Sequence, residues 1–123
     1  MKVAVTSNGK NINSNSSLLF GRNPYFIIVD LENGAIKDIL ALENPAKNEK
    51  AAGNVAAQFM VDRNIKAVIG GKLGPIAFHL LKNAGIKVYK ITSLNIEKNL
   101  KRFNEGKLDE ITSLCSGYPK WIE

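Results

Sequence analysis

A chain of 123 residues, 45% of them hydrophobic, is long enough to bury a real core and reads as one domain. Its 17 Lys and Arg outnumber 11 Asp and Glu, a formal charge of +6 that favours anionic partners; no block of roughly five or six like charges marks a nucleic-acid arm or a polybasic membrane patch. The single cysteine, Cys115, excludes an internal disulfide and an all-cysteine metal site within one chain, and fits a reducing compartment.

Met1 leads straight into Val3-Ala4-Val5, a strand pattern without the charged and apolar regions of a secretory signal. No apolar run nears the roughly 18 residues of a membrane span, so the chain is expected in the cytoplasm and away from membranes. Residues 3–6 form the first predicted strand, and the Asn- and Ser-rich stretch 7–17 a long loop. A second strand covers 25–30, the strongest strand signal in the chain. The Asn33-Gly34 pair marks a hairpin turn, which makes the third strand, 35–42, its antiparallel neighbour.

After a polar loop with Pro45, the spacing of Ala51, Val55 and Phe59, beside Ala52, Ala56 and Met60, predicts an amphipathic helix ending near Arg63. Ala67-Val68-Ile69 is a short apolar strand, followed by a glycine-rich turn and by Pro75 where a helix accepts proline in its first turn. That second helix is expected to bury Ile76, Leu80 and Ala84 and to stop at Gly85. A fifth strand at 86–91, a cap at Ser93 and a third helix carrying Ile96, Leu100 and Phe103 and closed by Gly106 complete the pattern. Strand-helix alternation after residue 50 implies parallel strands with right-handed crossovers, joined to the antiparallel hairpin. The expected fold is an α/β domain with a mixed five-stranded sheet covered by helices.

The loop Phe20-Gly21-Arg22 enters the apolar second strand, and Gly70-Gly71-Lys72-Leu73-Gly74-Pro75 links a strand to a helix. Ligands of open α/β sheets bind at the carboxyl ends of strands, where helix N-terminal amides carry partial positive charge; Arg22 and Lys72 would add full charges to an anion pocket. On the alternative reading these glycines serve tight turns and close packing, and Arg22 makes a salt bridge. The glycine-rich turn lacks the Gly-Lys-Ser/Thr ending of a phosphate-binding P-loop. His79 and Cys115 are the candidate metal ligands, but each stands alone: His79 reads first as a partly buried structural residue and Cys115 as a half-buried thiol. No nucleophile-base pair and no paired carboxylates at a strand end are visible, so no enzymatic chemistry is expected.

The Phe20-Gly21-Arg22 loop, the Glu43-Asn44-Pro45 turn, Gly53 before Ala56-Ala57-Gln58-Phe59, the Gly-x-x-Gly-Pro-x-Ala-Phe run at 71–78 and Ala84-Gly85-Ile86-Lys87-Val88-Tyr89 together resemble the dinitrogenase iron-molybdenum cofactor biosynthesis family. The likeness covers residues 2 to about 110, giving a nitrogenase accessory factor-like domain at 1–110 and a C-terminal tail at 111–123. The resemblance implies a ribonuclease H-like three-layer α/β/α fold and a small carrier of the iron-molybdenum cofactor or an iron-sulfur precursor. A nuclease of that fold would need carboxylates on the first strand, and Val3-Ala4-Val5-Thr6 supplies none.

Where the family often has histidines, before Phe-Gly-Arg and at the head of the first helix, this chain has Leu19 and Lys50. Leucine has no lone pair and a cationic lysine is a poor ligand, so direct cluster ligation at these positions is not expected. The ligand-binding set is therefore Phe20, Gly21, Arg22, Lys50, Gly53, Gly71, Lys72 and Gly74, acting by charge and backbone amides on an anionic cluster or other small anion. The alternative is a metal-free interaction or regulatory module, associating with a protein partner or a second copy through Tyr118, Pro119 and Trp121. Nucleic-acid binding is the least favoured reading, since no exposed stacking aromatics accompany the charge.

Overall fold

Side-chain alternation along the strands decides how the layers stack. In β1 (Lys2–Ser7), Val3 and Val5 point to one side and Ala4 to the other, and all are fully buried. In β2 (Tyr25–Glu32), Phe26 and Ile28 share the side of Ala4, whereas Ile27 and Val29 share that of Val3. A strand apolar on both faces must be covered on both, which gives a central sheet between two helical layers. The computed structural model describes residues 1–112; Cys115 and the aromatic segment with Tyr118, Pro119 and Trp121 lie outside the described residues.

Asn33 and Gly34 turn the chain into β3 (Ala35–Glu43) with φ of 54° and 80°, the pair of positive values that a two-residue hairpin of matching twist needs. The β2–β3 register shifts between Asp30 and Leu31, leaving Lys37 as an extra residue opposite them. Then follow α1 (Ala52–Asp62), β4 (Ala67–Gly70), α2 (Pro75–Asn83), β5 (Lys87–Lys90) and α3 (Ile96–Asn104). The five strands lie in the order β3-β2-β1-β4-β5; β1, β4 and β5 run parallel, and β2 is antiparallel to both neighbours.

Helices α1 and α2 cover the face of Ala4, Phe26 and Val68 through Ala56, Met60, Phe78 and Leu81; α3 covers the face of Val3, Ile27 and Ile69 through Ile96 and Leu100. Of the two stripes named on α1, the one with Ala52, Ala56 and Met60 goes inward, and the expected burial of α2 is corrected in detail. Ala51 and Val55 are exposed and the interior is lined by Ala52, Ala56, Ala57 and Met60, while α2 buries Ala77, Phe78 and Leu81 and leaves Ile76 and Ala84 exposed. Alanines share that interior with Met60, Phe78 and Leu81, while Val55 and Ile76 are turned out to solvent. The cap of α3 is also corrected: the Asn95 side chain accepts from Lys98 N at 2.9 Å, and Ser93 Oγ accepts from Asn95 N one step earlier. No helix of the described residues is long and apolar enough to cross a membrane.

Candidate functional site

The strand registers put Ser7, Tyr25 and Glu43 at one end of the sheet, and the parallel β4 and β5 finish there with Gly70 and Lys90. Four connections therefore gather at that end: 8–24, 44–51, 71–74 and 91–95. The polar stretch 15–20 is laid across them in extended form. Ser17 N donates to Thr6 O at the end of β1, Ser16 N to Leu94 O beyond β5, and Lys72 N to Leu18 O beyond β4. Phe20 N returns a bond to Lys72 O at 2.9 Å, so Leu19 and Lys72 pair like neighbouring strands. Below this strap, Thr6 Oγ1 donates to Ser17 O and Ser16 Oγ to Thr6 O, which satisfies hydroxyls that are fully buried.

Glycines make the junctions possible. A Cβ on Gly71 would fall 1.8 Å from Leu18 O, and one on Gly21 would fall 2.7 Å from the backbone of Gly53, so any side chain would separate the loops. Gly21 also sits at φ 116°, where residues with a Cβ are strained. Gly53 itself lies between Phe20 O and the Ala77 methyl, at the head of α1. Phe20, Gly21, Gly53, Gly71 and Lys72 are thus brought together.

Two residues outside the expected ligand-binding set hold the loop in place. Asn23 Oδ1 accepts from Gly21 N, and its Nδ2 donates to Tyr25 O. Asn44 Nδ2 donates to both Gly21 O and Asn23 O at 2.9 and 2.8 Å, while its Oδ1 accepts from Ala46 N. Both asparagines are buried. Each stands directly before a proline, a turn-starting pair, and Asn44 lies in the Glu43-Asn44-Pro45 turn that carries the resemblance, but neither signal gives the side chain's structural role.

Arg22 is exposed, and its guanidinium donates to Lys47 O at 3.0 Å; the expected alternative of a salt bridge gives way to this backbone contact. Lys50 and Lys72 are also exposed, Lys50 in the connection that Arg22 reaches and Lys72 with its backbone pinned by the strap. Phe20 is buried and its ring lies 5.7 Å from that of Phe26, so it anchors the loop from below. Leu19 is 46% exposed at the same end.

Gly74 differs from its fellow glycines. It precedes α2 in extended conformation, with φ −78°, and a Cβ there would meet nothing within 4 Å. Neither packing nor backbone conformation requires glycine at this position. No capping side chain covers the first turn of α2, where Ile76 is exposed and Ala77 is buried.

His79 is exposed on α2, with its ring 5.7 Å edge-on to Phe78, and this corrects its expected partial burial. Among the described residues no group of three or more His, Cys, Asp or Glu side chains could hold a metal ion.

The arrangement is that of a small open-sheet α/β domain whose glycine-linked loops and exposed cations share the carboxyl end of the sheet. The chain belongs to the dinitrogenase iron-molybdenum cofactor family, whose model matches residues 1–106. It is 37% identical over 99 residues to an uncharacterised protein of Methanocaldococcus jannaschii, covering 80% of this chain and 84% of that one. A Thermotoga protein provisionally assigned as a NifB protein has a similar solution structure, with a TM-score of 0.78 and 34% identity over 92% of this chain and 95% of its own. The apo form of the orange protein from Desulfovibrio gigas matches with a TM-score of 0.80 and 29% identity, covering 91% and 93%. The family resemblance carried by the loop motifs is borne out.

Proposed function

We propose that this protein is a non-enzymatic, cytoplasmic carrier that holds an anionic metal cluster, the iron-molybdenum cofactor or an iron-sulfur precursor, as cargo. Cargo would sit at the carboxyl end of the sheet, against Arg22, Lys50, Lys72 and the amides that follow Gly74. The observation that supports this reading is the interlock of the 18–20 and 71–72 segments at the carboxyl end of the sheet, where Arg22 and Lys72 are both exposed. The uncapped first turn of α2 beside the exposed Gly74 supports it, because no side chain there competes for an anion.

A sulfide-rich cluster is large, polarisable and anionic, so peripheral cations and oriented amides can hold it without a metal-ligand bond. That mode suits a chain with Leu19 and Lys50 at the positions where relatives often carry imidazoles. A structural relative described in an apo form is a protein with a separable ligand, which favours a binding role here. The strand order with β2 alone reversed supports the ribonuclease H-like reading of the fold. The acid-free β1 supports a function other than the metal-dependent nuclease chemistry of that fold.

Anaerobic mixing of the purified chain with iron, sulfide and molybdate should give a chromophore that co-elutes with the protein. Arg22→Ala and Lys72→Ala should each weaken its retention by about tenfold, the loss of one charge-assisted contact. Absence of co-eluting metal under every condition would overturn the reading.

A further inference from the structure

The sheet has two edges, and among the described residues only one of them is occupied. Beyond β5 the chain returns along residues 109–111, where Lys90 N donates to Asp109 O at 3.0 Å and Ile111 N to Val88 O at 2.7 Å. Strand β3, at the other edge, has no such neighbour among the described residues. It is nine residues long, and Ile36, Ile39 and Leu40 are 45%, 43% and 50% exposed. Apolar side chains therefore stand open on both faces: Leu40 and Leu42 beside Ile28 and Ile65 on the α1 side, and Ile36 beside Ile12 and Leu100 on the α3 side. A long apolar edge of this kind is a template for another strand.

The backbone is set for pairing. Asn44 N donates to Pro24 O, so in the alternating antiparallel ladder Leu42 and Leu40 also bond inward to β2. Ile39, Ala41 and Glu43 then turn N–H and C=O away from the sheet. At Ile39 the outward N–H is taken up by the Asp38 carboxylate at 2.9 Å, a local bond that an incoming carbonyl can replace. The bulge at Lys37, a common device for spoiling an edge, lies near one end of the strand and leaves 38–43 regular.

We infer that the β3 edge is a homodimer interface, in which two copies join antiparallel strands into one continuous sheet about a two-fold axis at Leu40. The sequence of the edge, Lys37-Asp38-Ile39-Leu40-Ala41-Leu42-Glu43, is complementary to itself in that register. Leu40 meets Leu40, Ile39 and Ala41 exchange their outward bonds, Asp38 stands opposite Leu42, and Lys37, at the bulge just beyond the regular pairs, comes next to Glu43 of the other copy at both ends. Each of these charges already has a partner in its own copy, Glu32 for Lys37 at 2.8 Å and Lys47 for Glu43 at 3.1 Å. Dimerisation would merge the two pairs into the alternating row Glu32–Lys37–Glu43–Lys47 on each side. This self-complementarity selects a second copy over an unrelated strand. The interface touches the loop end of the sheet only through Glu43 and Lys47, and the inference does not depend on what those loops bind.

Sedimentation and light scattering of the full chain over a wide concentration range should show a reversible dimer. Ala41→Pro, which removes an outward N–H at an edge position that accepts proline, should abolish dimerisation with an unchanged circular dichroism spectrum. Lys37→Glu should weaken the dimer by about tenfold through like-charge opposition, and Lys37→Glu combined with Glu43→Lys should restore it. The charge swap keeps the test decisive if the proline variant folds poorly. A chain that stays monomeric at every concentration overturns the inference, as does a dimer indifferent to the charge reversal.

Discussion

Asn44 spends one buried amide on three backbone groups, and it is the residue on which the geometry of the candidate site turns. Without it Gly21 O, Asn23 O and Ala46 N would lose partners in a place that water does not reach. Asn44→Ala should therefore lower stability by roughly 2–4 kcal/mol, read from urea unfolding, since each orphaned buried group costs about 1–3 kcal/mol and neighbouring losses do not add fully. Arg22→Ala, which removes one exposed contact to Lys47 O, should change stability by no more than about 0.5 kcal/mol. The contrast separates framework from ligand contact: reduced cargo retention in the Arg22 variant cannot then be ascribed to unfolding. Residue type made Gly21, Arg22 and Lys72 legible in the sequence, because glycine and arginine in a loop before an apolar strand are unusual there. Asn23 and Asn44 were not legible, since asparagine in a polar stretch reads as a solvated turn, and only burial reveals that its amide is structural. Phe20 carried the opposite ambiguity, a loop aromatic that becomes an anchor once Phe26 is found beneath it.

Among the elements, the strands and helices fall close to where periodicity puts them, and the errors concern which way α1 and α2 face. Bulk was the misleading cue. Val55 and Ile76 are large and branched, yet they are 40% and 60% exposed, whereas Ala56, Ala57 and Ala77 are almost wholly buried. The interior between α1, α2 and the sheet is thin because Gly53 and Ala77 lie side by side, with room for a Cβ on Gly53 at only 3.5 Å from the Ala77 methyl. A helical period marks a stripe but does not say whether a small-residue or a large-residue stripe goes inward; the separation of the layers decides that, and it is a tertiary quantity. Val55→Lys and Ile76→Lys should accordingly unfold within about 0.5 kcal/mol of the parent chain. Ala56→Leu, one turn from Gly53, should lose about 1–3 kcal/mol by overpacking, and calorimetry of the three variants would show the order reversed if Val55 and Ile76 were the inward residues.

For the whole molecule, the mixed sheet was readable from the Asn-Gly hairpin followed by strand-helix alternation, because each is a local signal for how neighbouring strands must run. The convergence of the 15–20, 44–51 and 71–74 connections was not readable, since it follows from strand order and from a strap of hydrogen bonds between distant residues. That convergence leaves Arg22, Lys50 and Lys72 exposed in the loops of one end. Two contributions to cargo capture can be separated by salt. Long-range attraction acts over a distance that shrinks from about 10 Å at 0.1 M to about 3 Å at 1 M ionic strength, while contacts already made to amides and cations are screened far less. Raising NaCl between those limits in stopped-flow mixing with the iron, sulfide and molybdate solution should slow association by about tenfold or more and change dissociation little. If dissociation instead carried the salt effect, the charges would act only in the bound complex, and the clustering of basic loops would have no part in drawing the anion in.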